Sequence, residues 1–532
     1  MIISNTFHLR AGGTGSRGRG SPIIISLSRA ILIIATIVLI TISSTVSSSA
    51  IFSLKFRYAG TNRSLNSLKL HDTNRLQMLS NVDLPLGGNG RPDSSGLYYA
   101  KMGIGTPPKS FYMQVDTGSD ITWVNCIECT ECPKRGYHGI ELTLYDPKDS
   151  STAQNVSCDE PFCLDVNGGP FQVCRANESC SFAEFYGDGS SSTGYFMEDI
   201  VHYDQVSGDL QTTTANGNES LHLITKKACM HLVNKVVHSV YDSSLNRCSA
   251  GQYVDRGSPN ADEALDGILG FGKSNSSVIG QLASSGQVKK MFAHCLDGVN
   301  GGGIFAIGTV VKPRVNTTPL MQNEPHYNVN MTGVKVGNYT LNLPLNLYEL
   351  GGKKGAIIDI GTTLAYLPEI IYEPLVIQIL SRQPNVKLVT VQDLYTCFKY
   401  SESVDDGFPP VTFYFGGELT MTVYPNQYFF PVDDFWCIGW QNSGRLSRDK
   451  KNLTLLGDLM LSNKLVVYDL ENMVIGWTDY NCSTNIQVKD EQTGTVHLVG
   501  PHFISSAPIV DIQTPLIVLC ISLALLFASS LV

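Results

Sequence analysis

The chain has 532 residues, a formal net charge of −9 and only 16% charged residues, with no basic stripe, which argues against a nucleic-acid partner. That length can bury a large core and fits two lobes with appended segments. The 49 glycines, beside short runs of Tyr, Phe, Val, Ile and Thr broken by Gly, Asn, Asp and Pro, indicate an all-β protein rich in hairpins.

Residues 1–50 carry Arg10, Arg17, Arg19 and Arg29 but no Asp or Glu. The apolar run from Ala30 to Ile40 and the small residues from Ser43 to Ala50 read as a signal peptide, with an uncleaved anchor as the alternative. Residues 51–92 read as a pro-segment or linker. The basic stretch Lys69–Arg75 either covers an acidic cleft or is a plain solvated leader.

Strand signals begin at Tyr98–Ile104, followed by the turn Gly105-Thr106-Pro107-Pro108. The apolar run Phe111–Val115 then leads into Asp116-Thr117-Gly118-Ser119 and on to Ile121–Val124. Seven cysteines lie between Cys126 and Cys180. Cys126-x2-Cys129-x2-Cys132 suggests zinc only weakly, because no His pair or second Cys pair accompanies it. Ten Asn-x-Ser/Thr sequons, with 14 cysteines, favour a secreted, disulfide-bonded glycoprotein. Phe182–Ser190 and Gly194–Phe196 read as a hairpin with a Gly-rich tip. Leu265–Gly272 reads as a buried apolar strand ending in glycines.

The second half repeats this plan. Tyr327–Val336 corresponds in type to Tyr98–Ile104. Ala356-Ile357-Ile358 leads into Asp359-Ile360-Gly361-Thr362, and Leu453–Gly457, with Asp458, answers Ile268-Leu269-Gly270. The unequal spacing indicates a duplication at the level of the fold rather than a solenoid. Leu221–Arg247 fits neither copy and reads as an insertion. At the end, Ser505-Ser506-Ala507, the spacer Pro508–Thr514 and the apolar tail Pro515–Val532 have the pattern of a glycosylphosphatidylinositol (GPI) anchor signal. Ser505 or Ser506 would be the attachment residue, and a transmembrane helix is the alternative. The expected organisation is therefore lobes over 93–312 and 313–485, a linker over 486–507 and an anchor signal over 508–532.

Two carboxyl groups within hydrogen-bonding reach cannot both ionise easily, so they share a proton and their pKa values separate. The ionised member can activate water while the protonated member donates to a substrate carbonyl. That chemistry is acid-favoured peptide hydrolysis, without covalent adduct, metal or cofactor. No G-x-S-x-G, H-E-x-x-H or Walker loop competes with it, and the histidines stand apart from any catalytic motif, as surface or packing residues.

Val115–Ser119, Tyr186-Gly187-Asp188-Gly189, Asp266–Gly270, Ile358-Asp359-x-Gly361-Thr362-Thr363 and Leu456-Gly457-Asp458 together resemble the plant pepsin-like aspartic proteases of the GPI-anchored subgroup, over about residues 95–485. The resemblance implies a bilobal all-β fold with the active-site cleft between the lobes. It implies Asp116 and Asp359 as the catalytic pair, and Thr117, Gly118, Ser119, Gly361 and Thr362 as their support. It also implies Tyr186, Gly187 and Asp188 as the flap over a peptide substrate, and Trp123 as the residue behind Tyr186. The expected protein is a monomer tethered by lipid to the outer face of the plasma membrane.

Two departures bear on activity. The family has Ser or Thr where this chain has Ile360, so one of the two loop-linking hydroxyls is lost. A buried amide left unpaired there would cost about 1–3 kcal/mol. Residues 221–247 stand where the family has a strand leading to Gly-Cys-Gly, as a retained intron would. Without Cys229 and Cys520, twelve cysteines suit six bridges. The rival reading is a pepsin-fold binding or inhibitor protein that has lost catalysis.

Overall fold

In the strand Lys109–Asp116, Phe111, Met113 and Val115 face inward while the residues between them are partly exposed. This period of two belongs to a strand with one face on a core. The strand pairs antiparallel with Leu97–Ile104 and parallel with Gly267–Gly270, whose Gly270 stands opposite Asp116. The chain is described here by a computed structural model. It covers residues 81–504 apart from 94–95, 128–132, 134, 168–173, 176–177, 187–190, 215–262, 287, 344–354, 392–394, 446–451 and 492. The signal peptide, the inserted stretch 221–247, the flap tip and the anchor signal lie outside the described residues.

Around that strand a six-stranded sheet forms from Leu86–Asn89, Val201–His202, Leu97–Ile104, Lys109–Asp116, Gly267–Gly270 and Trp123–Val124. Gly267 permits the close approach, because a Cβ there would lie 1.9 Å from the carbonyl oxygen of Trp123. The second half builds the same device. Ala356–Ile358, buried throughout, runs parallel to Leu455–Leu456 with Ile358 opposite Leu456, inside a five-stranded sheet. In both halves an apolar strand ends at an Asp, and a parallel apolar strand ending in Gly lies beside it. The all-β fold and the duplication expected from the sequence are both present.

An eight-stranded sheet draws on both halves. Its order is Gln211–Thr214, Asp204–Gly208, Val82–Asp83, Gly303–Ile307, Met291–Leu296, Lys464–Asp469, Val474–Asp479 and Asn316–Pro319. Gly303–Ile307 is buried at every position, as suits a strand covered on both faces. Phe292, Phe305, Tyr327 and Tyr468 pack face to face and edge to face within the main core.

The ends of the body differ from the sequence reading. The last part of the segment expected to be leader is structural: Val82, Leu84 and Leu86 are buried, and Val82–Asp83 and Leu86–Asn89 pair in the two sheets just described. The segment expected to be a linker, from 486 onward, forms the hairpin Ile486–Lys489/Val496–Val499. It pairs with Thr309–Lys312 and buries Ile486, Val488 and Val499. These strands are two to four residues long and interrupted by polar residues, so neither stretch shows a periodicity long enough to mark it.

Among the described residues four disulfides link Cys158–Cys174, Cys163–Cys180, Cys295–Cys482 and Cys397–Cys437. Cys126 is also disulfide-bonded, which removes it from the zinc alternative. The Cys295–Cys482 bridge ties the Met291–Leu296 strand to the residues just after Val474–Asp479.

Candidate active site

The two Asp-Gly loops meet back to back. The Thr117 amide donates to the Ile360 carbonyl at 2.7 Å, and the Ile360 amide donates to Thr117 Oγ1 at 2.9 Å. Gln114 Nε2 donates to the Gly361 carbonyl at 2.8 Å. Both loops need glycine at the crossing. A Cβ on Gly118 would stand 2.8 Å from both carboxylate oxygens of Asp359, and one on Gly361, whose φ is +120°, would stand 2.6 Å from Asp116 Oδ1. Each glycine thus makes room for the carboxylate of the other loop.

The hydroxyl that closes each motif binds its own Asp. Ser119 Oγ donates to Asp116 Oδ2 at 2.5 Å, and Thr362 Oγ1 donates to Asp359 Oδ2 at 2.8 Å. The Gly118 amide donates to Asp116 Oδ1 at 2.8 Å, while Thr117 Oγ1 lies 3.4 Å from Asp359 Oδ1. Both carboxyls are nearly buried, at 8% and 5% exposure. Burial pushes Asp116 above the usual carboxylate range, against the hydrogen bonds from Ser119 and Gly118. Burial pushes Asp359 up as well, and the charge of Asp116 adds to it. This is the pattern of two carboxyls that hold one proton between them.

The expected penalty at Ile360 is absent. The Thr117 amide, which a second hydroxyl would have served, is paired with the Ile360 backbone carbonyl instead. The Ile360 side chain, 1% exposed, belongs to the main hydrophobic core. Position 360 thus serves the Thr117 amide with its backbone carbonyl, which every residue type carries, and not with a side chain.

The hairpin expected above the pair forms from Ser181–Phe185 and Ser191–Tyr195. Tyr186 ends its first arm, and Trp123 Nε1 donates to Tyr186 Oη at 2.7 Å. Trp123 is itself held among Ile121, Phe182 and Phe196. Gly187 and Asp188, expected in the flap, and Ser505 and Ser506, expected to carry the anchor, lie outside the described residues.

Two carboxyls that feel the charge of the pair, Asp458 and Glu184, and a third beside the Asp116 strand, Asp266, have no role in the sequence reading. Asp458 is fully buried, and its pKa is raised well above the ordinary range by burial and then by the charge of Asp359. Glu184, on the first flap arm, is raised to about 7 by burial, then by Asp120 and Asp116. Asp266 accepts the amides of Tyr112 and Thr143 at 2.7 and 2.6 Å and fastens its strand to the catalytic one. Asp266 and Asp458 stood inside motifs already singled out. Glu184 carried no signal, since a lone Glu in a strand is usually a solvated residue. Among the described residues no cluster of His, Cys, Asp and Glu is arranged to hold a metal ion.

Two Asp loops crossed through backbone bonds, within an all-β body, define the class of pepsin-like folds. The comparisons agree. Residues 98–309 match the family model "Xylanase inhibitor N-terminal" and residues 326–479 match "Xylanase inhibitor C-terminal". The chain is 44% identical to "Aspartic proteinase 36" of Arabidopsis thaliana over 89% of its own length and 92% of that protein. It is 42% identical to "Aspartic proteinase 39" of the same plant over 93% and 98%. Among solved structures, "Crystal structure of Basic 7S globulin from soybean" aligns with a TM-score of 0.55 at 19% identity, over 75% of this chain and 96% of that one. "Crystal structure of edgp" aligns equally well at 18% identity, over 76% and 96%. At such identity these two show the fold alone. The chain belongs to the plant aspartic proteinase-like family.

Proposed function

We propose that the protein is an aspartic-type endopeptidase that hydrolyses peptide bonds best in acid. One observation carries this reading: Asp116 and Asp359 are each held by a hydroxyl of their own loop, and each sits against the glycine of the other. In the singly protonated pair, one carboxylate takes a proton from water as the water attacks the peptide carbonyl. The other carboxyl donates its proton to the carbonyl oxygen to give a gem-diol. The first carboxyl then passes the proton taken from water to the amide nitrogen as the C–N bond breaks, and the second recovers a proton from a gem-diol hydroxyl. Tyr186, fixed by Trp123, stands where the flap would hold the peptide. Cleavage of a denatured protein between about pH 3 and 6, lost in Asp116→Asn, tests the assignment.

The same reading places the enzyme outside the cell, on the outer leaflet of the plasma membrane. The support is the Arg-rich leader with its apolar run, the sequons, the disulfides and the tail from Ser505 onward. Release of the protein from intact cells by a phospholipase specific for phosphatidylinositol tests the anchor; retention on the cells would favour a transmembrane tail. A second reading, a pepsin-fold binding protein, draws on the inhibitors for which the matching family models are titled. It predicts tight protein binding with no cleavage at any pH.

A further inference from the structure

The inner face of the flap hairpin carries an acid for which the fold provides no partner. In the arm Ser181–Phe185, Phe182 is buried, Ser181 and Ala183 are exposed, and Glu184 is half-buried. Side chains two apart in a strand share a face, so Glu184 lies between Phe182 and Tyr186 on the inner one. Both of those rings pack in one cluster with Ile121 and Trp123, and Tyr186 Oη accepts from Trp123 Nε1 at 2.7 Å. Glu184 is thereby bracketed over Ile121–Trp123, the segment that follows the first catalytic loop. Across the hairpin it is in direct register with Ser192 on Ser191–Tyr195. Side chains directly opposite in an antiparallel pair share a face, with Cβ atoms about 4.5–5.5 Å apart.

Ser192 is fully buried, and its hydroxyl has no hydrogen-bond partner. Among the described residues no hydrogen bond or cation reaches Glu184 either; burial and the charges of Asp120 and Asp116 are what act on its carboxyl. Folded proteins normally use the hydrogen-bonding capacity of such groups, so the pair is built for something that arrives from outside. The charge of the place narrows what that is. Ser181–Tyr186, Ser191–Tyr195 and Ile121–Trp123 bring no Lys, Arg or His, and Glu184 adds to the field of two further acids. A carboxylate would be repelled there, and an apolar side chain would leave both groups unpaired. An ammonium or guanidinium can donate to both.

We propose that Glu184 and Ser192 form a specificity subsite under the flap of the proposed peptidase, which takes a Lys or Arg side chain of the substrate. The cationic head donates to the Glu184 carboxylate and to Ser192 Oγ, while its apolar stem has the rings of Phe182 and Tyr186 on either side. A proton and a cationic side chain compete for the same carboxyl, so the preference grows as pH rises. The titratable groups facing that carboxyl are Asp116 and Asp120 from the first catalytic loop and the phenol of Tyr186 on its own arm. The phenol stays neutral across the acid range, and the two acids favour a cation. The inference rests on the peptidase reading for its effect on cleavage and on the hairpin geometry for its existence, and the two are tested separately.

The test uses the full folded chain and pairs of peptides that differ at one position, Lys against norleucine. That position is moved in turn along the residues flanking the scissile bond. At one position Lys should give a kcat/KM about tenfold above norleucine near about pH 6, and a smaller ratio near about pH 4. E184Q should bring that ratio to about 1 at both pH values, and E184K should prefer a Glu peptide to the Lys peptide at the same position. Each ratio is taken within one enzyme, so a merely structural loss lowers both members of a pair and leaves the ratio where it was. Absence of a Lys preference at every position, or a preference that E184Q leaves intact, overturns the proposal. A folded parent that cleaves neither peptide sinks the peptidase reading. Calorimetric binding of the same pair then decides the subsite. Tighter binding of the Lys peptide, lost in E184Q, sustains it, and equal binding refutes it.

Discussion

Thr117 and Ile360 exchange two hydrogen bonds across the catalytic centre, amide to carbonyl at 2.7 Å and amide to hydroxyl at 2.9 Å. The crossing of the two loops therefore survives the loss of one hydroxyl, because a backbone carbonyl takes over for a side-chain oxygen.

Restoring the hydroxyl should change little in activity. Ile360→Ser is expected to alter kcat/KM by less than about tenfold, since the amide it would serve is already paired and a net hydrogen bond is worth about 1 kcal/mol. The same change empties part of the core around a side chain that is 1% exposed. A stability loss of about 2–4 kcal/mol should appear in urea or thermal melts. An increase in activity of a hundredfold or more would show that Ile360 does disable the site.

The converse change should be costly. Thr117→Val keeps the shape but leaves the Ile360 amide buried without its acceptor. A destabilisation of about 1–3 kcal/mol is expected, together with a fall in kcat/KM. Thr117→Ser, which keeps the oxygen, should stay close to the unmodified protein in both measurements.

Trp123 and Tyr186 provide a test of the flap. Trp123→Phe removes the 2.7 Å bond to Tyr186 Oη while retaining an aromatic ring in the cluster with Phe182 and Phe196. Cleavage of long peptides should fall by roughly tenfold in kcat/KM, the worth of one hydrogen bond. Unchanged kinetics would mean that Tyr186 is positioned by other contacts.

The two ends of the described body meet at His502 and Asp83, 2.8 Å apart. Burial acts to lower the His502 pKa, but the hydrogen bond and charge of Asp83 outweigh it, and the pKa is raised. A raised folded pKa gives stability that is complete below the unfolded value near 6.5 and is lost as pH rises through the folded value. Asp83→Asn should therefore cost up to about 1 kcal/mol near pH 5 and little near pH 8. Equal losses at both pH values would show that the pair acts through packing and not through charge.

Much of this architecture is visible in the residues themselves. Asp116 and Asp359 each follow an apolar strand and precede a glycine that the crossing requires, so local pattern and site coincide. The flap hairpin is legible for the same reason, as two β-rich arms around a Gly-rich turn. Val82–Asn89 and Ile486–Val499 are not, because short polar strands acquire their place only from distant partners such as Gly303–Ile307 and Thr309–Lys312. Glu184 and Ser192 face each other only through the register of the flap hairpin. Without that register, Glu184 reads as a solvated residue.

The account stands most directly on the pair of carboxyls. Cleavage of a denatured protein by the full chain should be measured across about pH 3 to 6, beside Asp116→Asn. The account predicts acid-favoured cleavage by the unmodified chain, and loss of that cleavage by a factor of at least about 10³ in a variant that melts as the parent does. Cleavage that persists in Asp116→Asn, or folded parent protein that cleaves nothing across that range, would contradict it.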